Sequence, residues 1–287
     1  MSYKILTGNA AEQLIYIENE TIQSTITSPP YFNLRNYSNG HNKEIGREKD
    51  ISIYIDNLVK IFEILKNKTR EDGLLFLNLG DTYVNGCLSG VPWRVALALI
   101  DIGWILRSDI IWHKPNAMPS SVKNRPTTDH EYIFMFSKNK KYQYFQDAIR
   151  EPHITFSENS KMKGGRNHLG KRNGTPEKGK NEGNSNLHDG RWDQAFHPLG
   201  RNKRTVWNIP LGKFRGSHFA VFPEQLVETC IKASSKEGDL ICDPFTGSGT
   251  TGLVATKMKR DFIGIELVSE YADLAKSRIM SQNLELF

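Results

Sequence analysis

The stretch Asp239–Glu266, DLICDPFTGSGTTGLVATKMKRDFIGIE, decides the fold. Asp239 to Cys242 is a short β-prone run, Gly249 to Met258 reads as a helix, and Asp261 to Ile265 is β-prone again. Strand, tight turn, helix and strand in so short a span form the repeating unit of a parallel sheet. The turn Asp243-Pro244-Phe245-Thr246-Gly247-Ser248-Gly249-Thr250-Thr251 has glycines that let the backbone bend sharply and approach a ligand. Behind it, a helix N-terminus offers free N–H groups. Glu266 ends the next strand about twenty residues on, the spacing at which such folds hydrogen-bond a ribose diol. No Gly-Lys-Thr/Ser follows and there is no GxGxxG pattern, which argues against a P-loop and a dinucleotide site. A nucleoside without phosphates suits the turn best, and S-adenosylmethionine is such a molecule.

Working outward, the same alternation fills both ends of the chain. Tyr3 to Thr7 reads as a strand, Ala10 to Ile17 as a helical turn or two, and Ser24 to Thr27 as a second strand. Asp50 is a good N-cap for a helix running to about Lys68, with Ile51, Ile55, Leu58, Val59, Phe62 and Leu65 on one face. Asp72-Gly73 is expected to turn, and Leu74 to Leu79 is apolar enough for a strand buried on both faces. A helix from Pro92 to Gly103 and strands at Trp104–Trp112 and Glu131–Phe136 follow, with a loop from His113 to Thr128. Pro223 starts a further helix, and Ser269 to Ser281 closes the chain with another. The expectation is one α/β sheet assembled from both ends.

Thr27-Ser28-Pro29-Pro30-Tyr31 stands out at the end of the second strand. Two prolines in succession remove two ladder donors, so the sheet stops there and a stiff turn presents Ser28, the Pro29 carbonyl and Tyr31 together. A polar stretch from Asn33 to Lys49 follows, a candidate substrate loop or a plain surface loop.

Charge is localised. The chain carries a net +6, but Lys161 to Arg204 holds eleven Lys and Arg against four Asp and Glu, a local +7. The region from about Pro152 to Thr205 is rich in Gly, Asn, Lys and Arg and too poor in apolar residues for its own core. Aromatic residues interleave with the charge near its end, at Trp192, Phe196 and Trp207, a pattern that fits docking on DNA. The three cysteines, Cys87, Cys230 and Cys242, form no CxxC, so neither a disulfide framework nor a metal is expected. No apolar run approaches the ~20 residues of a membrane span, and the start lacks a signal-peptide pattern. A cytoplasmic location, with no membrane partner, is the expectation.

TSPPY paired with DPFTGSGTT and followed by FIGIELVSEY resembles the S-adenosylmethionine-dependent DNA amino-methyltransferases, in the motif order of their permuted β group. GLLFLNLGDTY, GWILRSDIIWHKPN, HEYIFMFSK and HFAVFPEQL extend the resemblance over nearly the whole chain outside about residues 152–203. It implies a Rossmann-like methyltransferase fold, circularly permuted, with a catalytic half at 1–150, an inserted target-recognition segment at 151–206 and a cofactor half at 207–287. It implies duplex DNA as the partner, a flipped-out target base and a restriction-modification setting; a homodimer and a cognate endonuclease acting on the same site stay open.

An exocyclic amine conjugated to its ring is a poor nucleophile, and acceptors aimed at its protons localise the lone pair toward the methyl donor. In the resemblance, Ser28 Oγ and the Pro29 carbonyl are those acceptors, Pro30 stiffens the turn, and Tyr31 stacks on the base. Asn78 and Asp81, closing the neighbouring strand, are candidates to touch the base or accept a proton. Phe245, Gly247, Ser248, Gly249 and Thr250 form the cofactor turn, Glu266 takes the ribose hydroxyls, and Asp243 orients the turn or the methionine amine. Phe222 and Pro223 line the pocket. Asn9 stands where the family commonly carries an aspartate, so a contact to the adenine amine passes to an amide oxygen. Arg166, Arg172, Arg191, Arg201 and Arg204 are candidates for reading guanine. A serine in the first position of the turn is typical of cytosine-N4 enzymes; adenine N6 is the alternative, and a catalytically silent nucleic-acid-binding protein is the reading from another class. No cysteine follows a proline, so the thiolate route of cytosine C5 methylation has no candidate nucleophile.

Overall fold

The computed structural model describes residues 2–34, 44–154, 197–212 and 223–284. In chain order the elements are β1 (Tyr3–Thr7), α1 (Ala10–Leu14), β2 (Ile22–Thr27), α2 (Ile51–Lys68), β3 (Thr69–Leu79), a small hairpin of β4 (Tyr83–Val84) and β5 (Cys87–Leu88), α3 (Val91–Asp101), β6 (Ile105–His113) and β7 (His130–Ser137). Beyond residues 155–196 follow β8 (Val206–Asn208), α4 (Glu224–Ser234), β9 (Leu240–Asp243), α5 (Thr250–Lys257), β10 (Asp261–Glu266) and α6 (Ser269–Leu284). Among the described residues no helix is long and apolar enough to cross a membrane.

One eight-stranded sheet runs in the order β1-β10-β9-β2-β3-β7-β6-β8. All neighbours are parallel except those of β7, which runs against both β3 and β6. The apolar run at 74–79 becomes the middle of the sheet, every residue of it buried, as a strand covered on both faces requires. Helices α1, α2 and α3 contribute to one core cluster that includes Leu14, Tyr54, Phe62, Leu75, Leu77, Leu99 and Trp104. Helices α4, α5 and α6 pack together and against β1, β2, β3, β9 and β10. The chain is α/β, as expected.

Three local expectations are corrected. The first helix stops at Leu14, and Ile15 and Tyr16 beyond it stand 61% and 81% exposed. No turn forms at Asp72-Gly73. The strand continues from Thr69, with Ile22 opposite Thr69 but Ser24 opposite Leu74, so that residues 70–73 are absorbed as an irregular bulge. Their carbonyls find partners outside the ladder: Asp72 O accepts from Gln143 N at 2.9 Å and Gly73 O from Lys138 N at 3.3 Å. Gly73 is required there, since a Cβ would stand 2.6 Å from Thr69 Cγ2. The third correction is β8: Trp207, expected among the aromatics interleaved with the basic charge, lies in a strand, Val206–Asn208, that extends the sheet edge alongside β6. Trp207 sits opposite Trp112, is 4% exposed and donates Nε1 to Arg204 O, so it is a core residue of the edge and not a DNA-facing aromatic.

The chain divides into two compact units, Met1–Phe145 with Arg204–Phe287, and Gln146–Lys203. Within the second unit, a 3-10 turn at Gln146–Ile149 leads to a bridge between Glu151 and Arg201. The Glu151 carboxylate pairs with Arg201 and Lys203 at 3.1 Å each. Trp192 and Phe196 lie outside the described residues.

Candidate active site

In the sheet order, β2 leads through α2 to β3 on one side, whereas β9 leads through α5 to β10 on the other. The boundary between β2 and β9 is therefore a topological switch point, where the carboxyl ends of diverging strands leave a crevice. A cavity of about 430 Å³ opens there. Its lining includes Ser28, Pro29, Pro30 and Tyr31 after β2, and Pro244, Phe245, Thr246, Gly247, Ser248 and Thr250 after β9. The two motifs that the sequence separates by some two hundred residues share one wall.

Asp243 ties them together. Its side chain is buried and accepts at Oδ1 from Thr27 Oγ1 (2.7 Å) and Phe245 N (3.1 Å), and at Oδ2 from Thr251 Oγ1 (2.7 Å). One carboxylate thus holds the last residue of β2, the turn after β9 and the first turn of α5. Burial pushes its pKa up to about 6, against the pull of those hydrogen bonds. Asp243 is absent from the cavity lining, and its hydrogen bonds orient the turn.

After Thr27 the two prolines end the ladder, and Pro30 O is held by Tyr54 OH at 2.9 Å. Tyr31 packs its ring on Gly80, where a Cβ would stand 2.6 Å from Cε2. The Tyr31 hydroxyl donates to Glu131 Oε2 at 2.6 Å, and Ser28 Oγ donates to Tyr31 OH at 3.2 Å. Asn78 Nδ2 reaches Tyr31 OH (2.6 Å), Glu131 Oε2 (2.7 Å) and Ser28 Oγ (3.2 Å). Burial first, and then the Glu131 charge, hold the Tyr31 phenol well above its ordinary pKa, so it keeps its proton.

On the cofactor side, Gly247 at φ +52° and Gly249 at φ +82° take backbone conformations that side chains disfavour. Gly249 also leaves room for α6, because a Cβ would stand 2.7 Å from Ala275 Cβ. Glu266 accepts from Gly247 N at 2.8 Å and Val268 N at 3.0 Å while lining the cavity. Burial raises its pKa above the ordinary carboxylate value. Thr250 Oγ1 is buried without a hydrogen-bond partner among the described residues. Ser248 is held from behind by Arg278 Nη1, at 2.8 Å to Oγ. Asn9 lines the cavity, but its Oδ1 caps α1, accepting from Ala11 N (3.0 Å) and Glu12 N (3.4 Å). The amide oxygen expected to meet an adenine amine is thus already engaged.

Other expected residues are not brought in. Asp81 turns away to α3, accepting from Thr82 N (2.8 Å), Gly90 N (2.9 Å) and Val91 N (3.2 Å), and is absent from the lining. Pro223 precedes α4, outside the lining, and Phe222 lies outside the described residues. Arg166, Arg172 and Arg191 also lie outside them. Arg201 pairs with Glu151, and Arg204 is exposed. Cys242 is buried and its thiol pKa is raised, so no thiolate is available from it.

Sequence reasoning missed Glu131, Lys114, Trp112, Leu211 and Tyr271, which all line the cavity. The Glu131 carboxylate pairs with Lys114 Nζ at 2.5 Å, and that ammonium lies 4.7 Å from the centre of the Trp112 ring. A charged residue heading the apolar run of β7 was the available sign of Glu131. Leu211 arrives because Trp112 Nε1 donates to Ile209 O at 2.7 Å and Asn116 clasps Leu211 through both its amide atoms.

A family model of DNA methylases, of the N6/N4 type, matches residues 22–277. The chain is 39% identical to the Type II methyltransferase M.SmaI of Serratia marcescens, over 97% of this chain and 91% of that one. It is 36% identical to M.Cfr9I of Citrobacter freundii, over 97% and 88%. Among solved structures, the PvuII DNA methyltransferase (cytosine-N4-specific) superposes with a TM-score of 0.70 at 22% identity, covering 97% of this chain and 86% of that one. TTHA0409 of Thermus thermophilus, solved in complex with S-adenosyl-L-methionine, does so at 0.62 and 22%, covering 98% and 96%. A sheet with one reversed strand, a switch-point cavity walled by SPPY and DPFTGSG turns, and a match across nearly the whole length lead to one conclusion: this chain belongs to the N6/N4 DNA methylase family.

Proposed function

We propose that the protein methylates the exocyclic N4 amine of a flipped-out cytosine in duplex DNA, using S-adenosylmethionine and no covalent intermediate. The observation that carries this reading is the shared cavity, lined by both the Ser28-Pro29-Pro30-Tyr31 turn and the turn after β9. The residues present fit the cofactor. Glu266 keeps acceptor capacity for a ribose diol, the unpartnered Thr250 hydroxyl offers a further polar contact, and Phe245 and Leu267 supply apolar wall. When bound, S-adenosylmethionine supplies an electrophilic methyl group on a sulfonium.

The chain's own residues do the rest. Ser28 Oγ and the Pro29 carbonyl accept the two amine hydrogens, drawing the nitrogen toward tetrahedral geometry with its lone pair facing the donor. Asn78 braces Ser28 and Tyr31, and the Tyr31 ring stacks on the base. The basic segment supplies phosphate contacts, which offset the few kcal/mol that extruding the base costs. Serine in the first position of the turn favours cytosine over adenine. The relatives named as Type II methyltransferases support a restriction-modification setting.

Purified protein incubated with duplex DNA and methyl-labelled S-adenosylmethionine, followed by mass spectrometry of the nucleosides, tests the reading. Label on N4-methylcytosine is expected. N6-methyladenine would replace the target base, and the absence of label on any nucleoside would overturn the enzyme assignment.

A further inference from the structure

A serine hydroxyl both donates and accepts, so its presence beside an amine does not by itself make it an acceptor. If Ser28 aimed its hydrogen at the target amine, donor would face donor. The surrounding groups decide which way it points. Glu131 Oε2 receives Tyr31 OH at 2.6 Å and Asn78 Nδ2 at 2.7 Å, and Oε1 receives Lys114 Nζ at 2.5 Å. All three partners are donors and a carboxylate only accepts. The one hydroxyl hydrogen of Tyr31 is therefore committed to Glu131, which leaves the phenol oxygen as an acceptor. Ser28 Oγ, 3.2 Å from that oxygen, delivers its hydrogen there; Asn78 Nδ2, also at 3.2 Å, takes one of its two lone pairs, and the other is left for the substrate. The same carboxylate fixes the Asn78 amide, since the reversed amide would set oxygen against oxygen at 2.7 Å.

We propose that Glu131 is a positioning residue that sets the direction of the hydrogen-bond chain from Ser28 through Tyr31, and so makes Ser28 an acceptor for the target amine. The inference rests on the amine-methylation reading. It explains why an acidic residue heads the antiparallel β7, whose first residues lie beside the carboxyl ends of β3 and β6. It also assigns Lys114 a part. A glutamine at position 131 could in principle offer its oxygen to Tyr31, but the Lys114 ammonium claims that oxygen, and the amide N–H groups then face Tyr31 and Asn78. The chain reverses and Ser28 becomes a donor.

The test is steady-state kinetics on wild type, Glu131→Gln, Lys114→Met and the double variant, with cofactor binding measured by calorimetry as a check on folding. Glu131→Gln is expected to lower kcat by about 10²-fold with KM for cofactor and DNA unchanged within about threefold. Adding Lys114→Met frees the glutamine oxygen and is expected to restore kcat by about tenfold. A residue with a merely structural part would not be rescued by a second truncation. A double variant no faster than Glu131→Gln alone overturns the proposal. Should Glu131→Gln not fold, Tyr31→Phe removes the acceptor for the serine hydrogen and is expected to lower kcat about tenfold at constant KM; unchanged kcat overturns the proposal. Wild-type protein that labels no nucleoside fails the methyl-transfer reading itself. Label on adenine, with the rescue intact, supports the role of Glu131, because the chain of hydroxyls meets any exocyclic amine.

Discussion

At the scale of single residues, the two polar side chains that close β3 divide their work. Asn78 faces the cavity and joins Ser28 and Tyr31, whereas Asp81, three residues on, accepts the backbone N–H of Thr82 and the two N–H groups of Gly90 and Val91 at the start of α3. Their spacing in the sequence gives no means of ranking them, because both Asn and Asp suit a strand end and a helix start equally. The difference has a measurable form. Asp81→Ala should cost about 1–3 kcal/mol of stability in chemical denaturation, while the folded fraction keeps near-wild-type kcat. Ser28→Ala should do the opposite, lowering kcat strongly with cofactor affinity and unfolding midpoint nearly unchanged; an equal loss of cofactor binding would place Ser28 in the wrong role. That Ser28, Tyr31, Gly247 and Glu266 share a cavity wall was legible because turn chemistry is local. Glu131 was not, because what makes it matter is the reversed course of β7 beside Asn78, a non-local pairing.

At the scale of elements, the strands and helices of both chain ends were readable from periodicity, and the misses share a cause. The bulge at 70–73 and the edge strand β8 are stabilised by partners far along the chain: Gln143 and Lys138 for the first, Ile111 to His113 for the second. Local propensity at Asp72-Gly73 favoured a turn, and tertiary hydrogen bonding overrode it. Gly80, just past β3, shows how an element end sets the site. It is in the sequence an unremarked residue between Leu79 and Asp81, yet the Tyr31 ring leans on it at a distance that leaves no space for a methyl group. Gly80→Ala should displace the ring and lower kcat by up to about 10²-fold while cofactor affinity measured by calorimetry is retained. Equal activity in the variant would show that the ring has room to move without consequence.

At the scale of the whole molecule, the two buried carboxylates of the cofactor side impose opposite pH demands on folding and on binding. Asp243 titrates at about 6 in the fold, above its ordinary value, because burial penalises its charge. Its contribution to stability is therefore complete below about pH 4 and is lost as pH rises through about 6. Roughly 3 kcal/mol is the scale of that change. Thermal unfolding of wild type should accordingly move to higher temperature between pH 7.5 and pH 5 relative to Asp243→Asn, which cannot titrate. Burial raises Glu266 as well, and a carboxylate accepts from ribose hydroxyls more strongly than its protonated form, so with Glu266 on the ribose, cofactor affinity should fall on acidification. Calorimetry on both variants at the two pH values checks both signs, and a wild-type midpoint that falls faster than that of Asp243→Asn contradicts the assignment.

The sheet order has one more consequence. Strand β1 sits outside β10, β9 lies between β10 and β2, and β8 is laid against β6, so segments from before and after residues 155–196 alternate across a single hydrogen-bonded surface. Neither portion of the polypeptide contains a complete set of neighbours for its own strands. A backbone break in that interval should consequently leave a non-covalent assembly in place of two independent pieces. Co-expressed fragments 1–175 and 176–287 are expected to co-purify and to regain cofactor binding, and each alone to be insoluble or unfolded by circular dichroism. The protein would then serve as a reconstitutable pair, in which bringing the fragments together switches on modification of DNA.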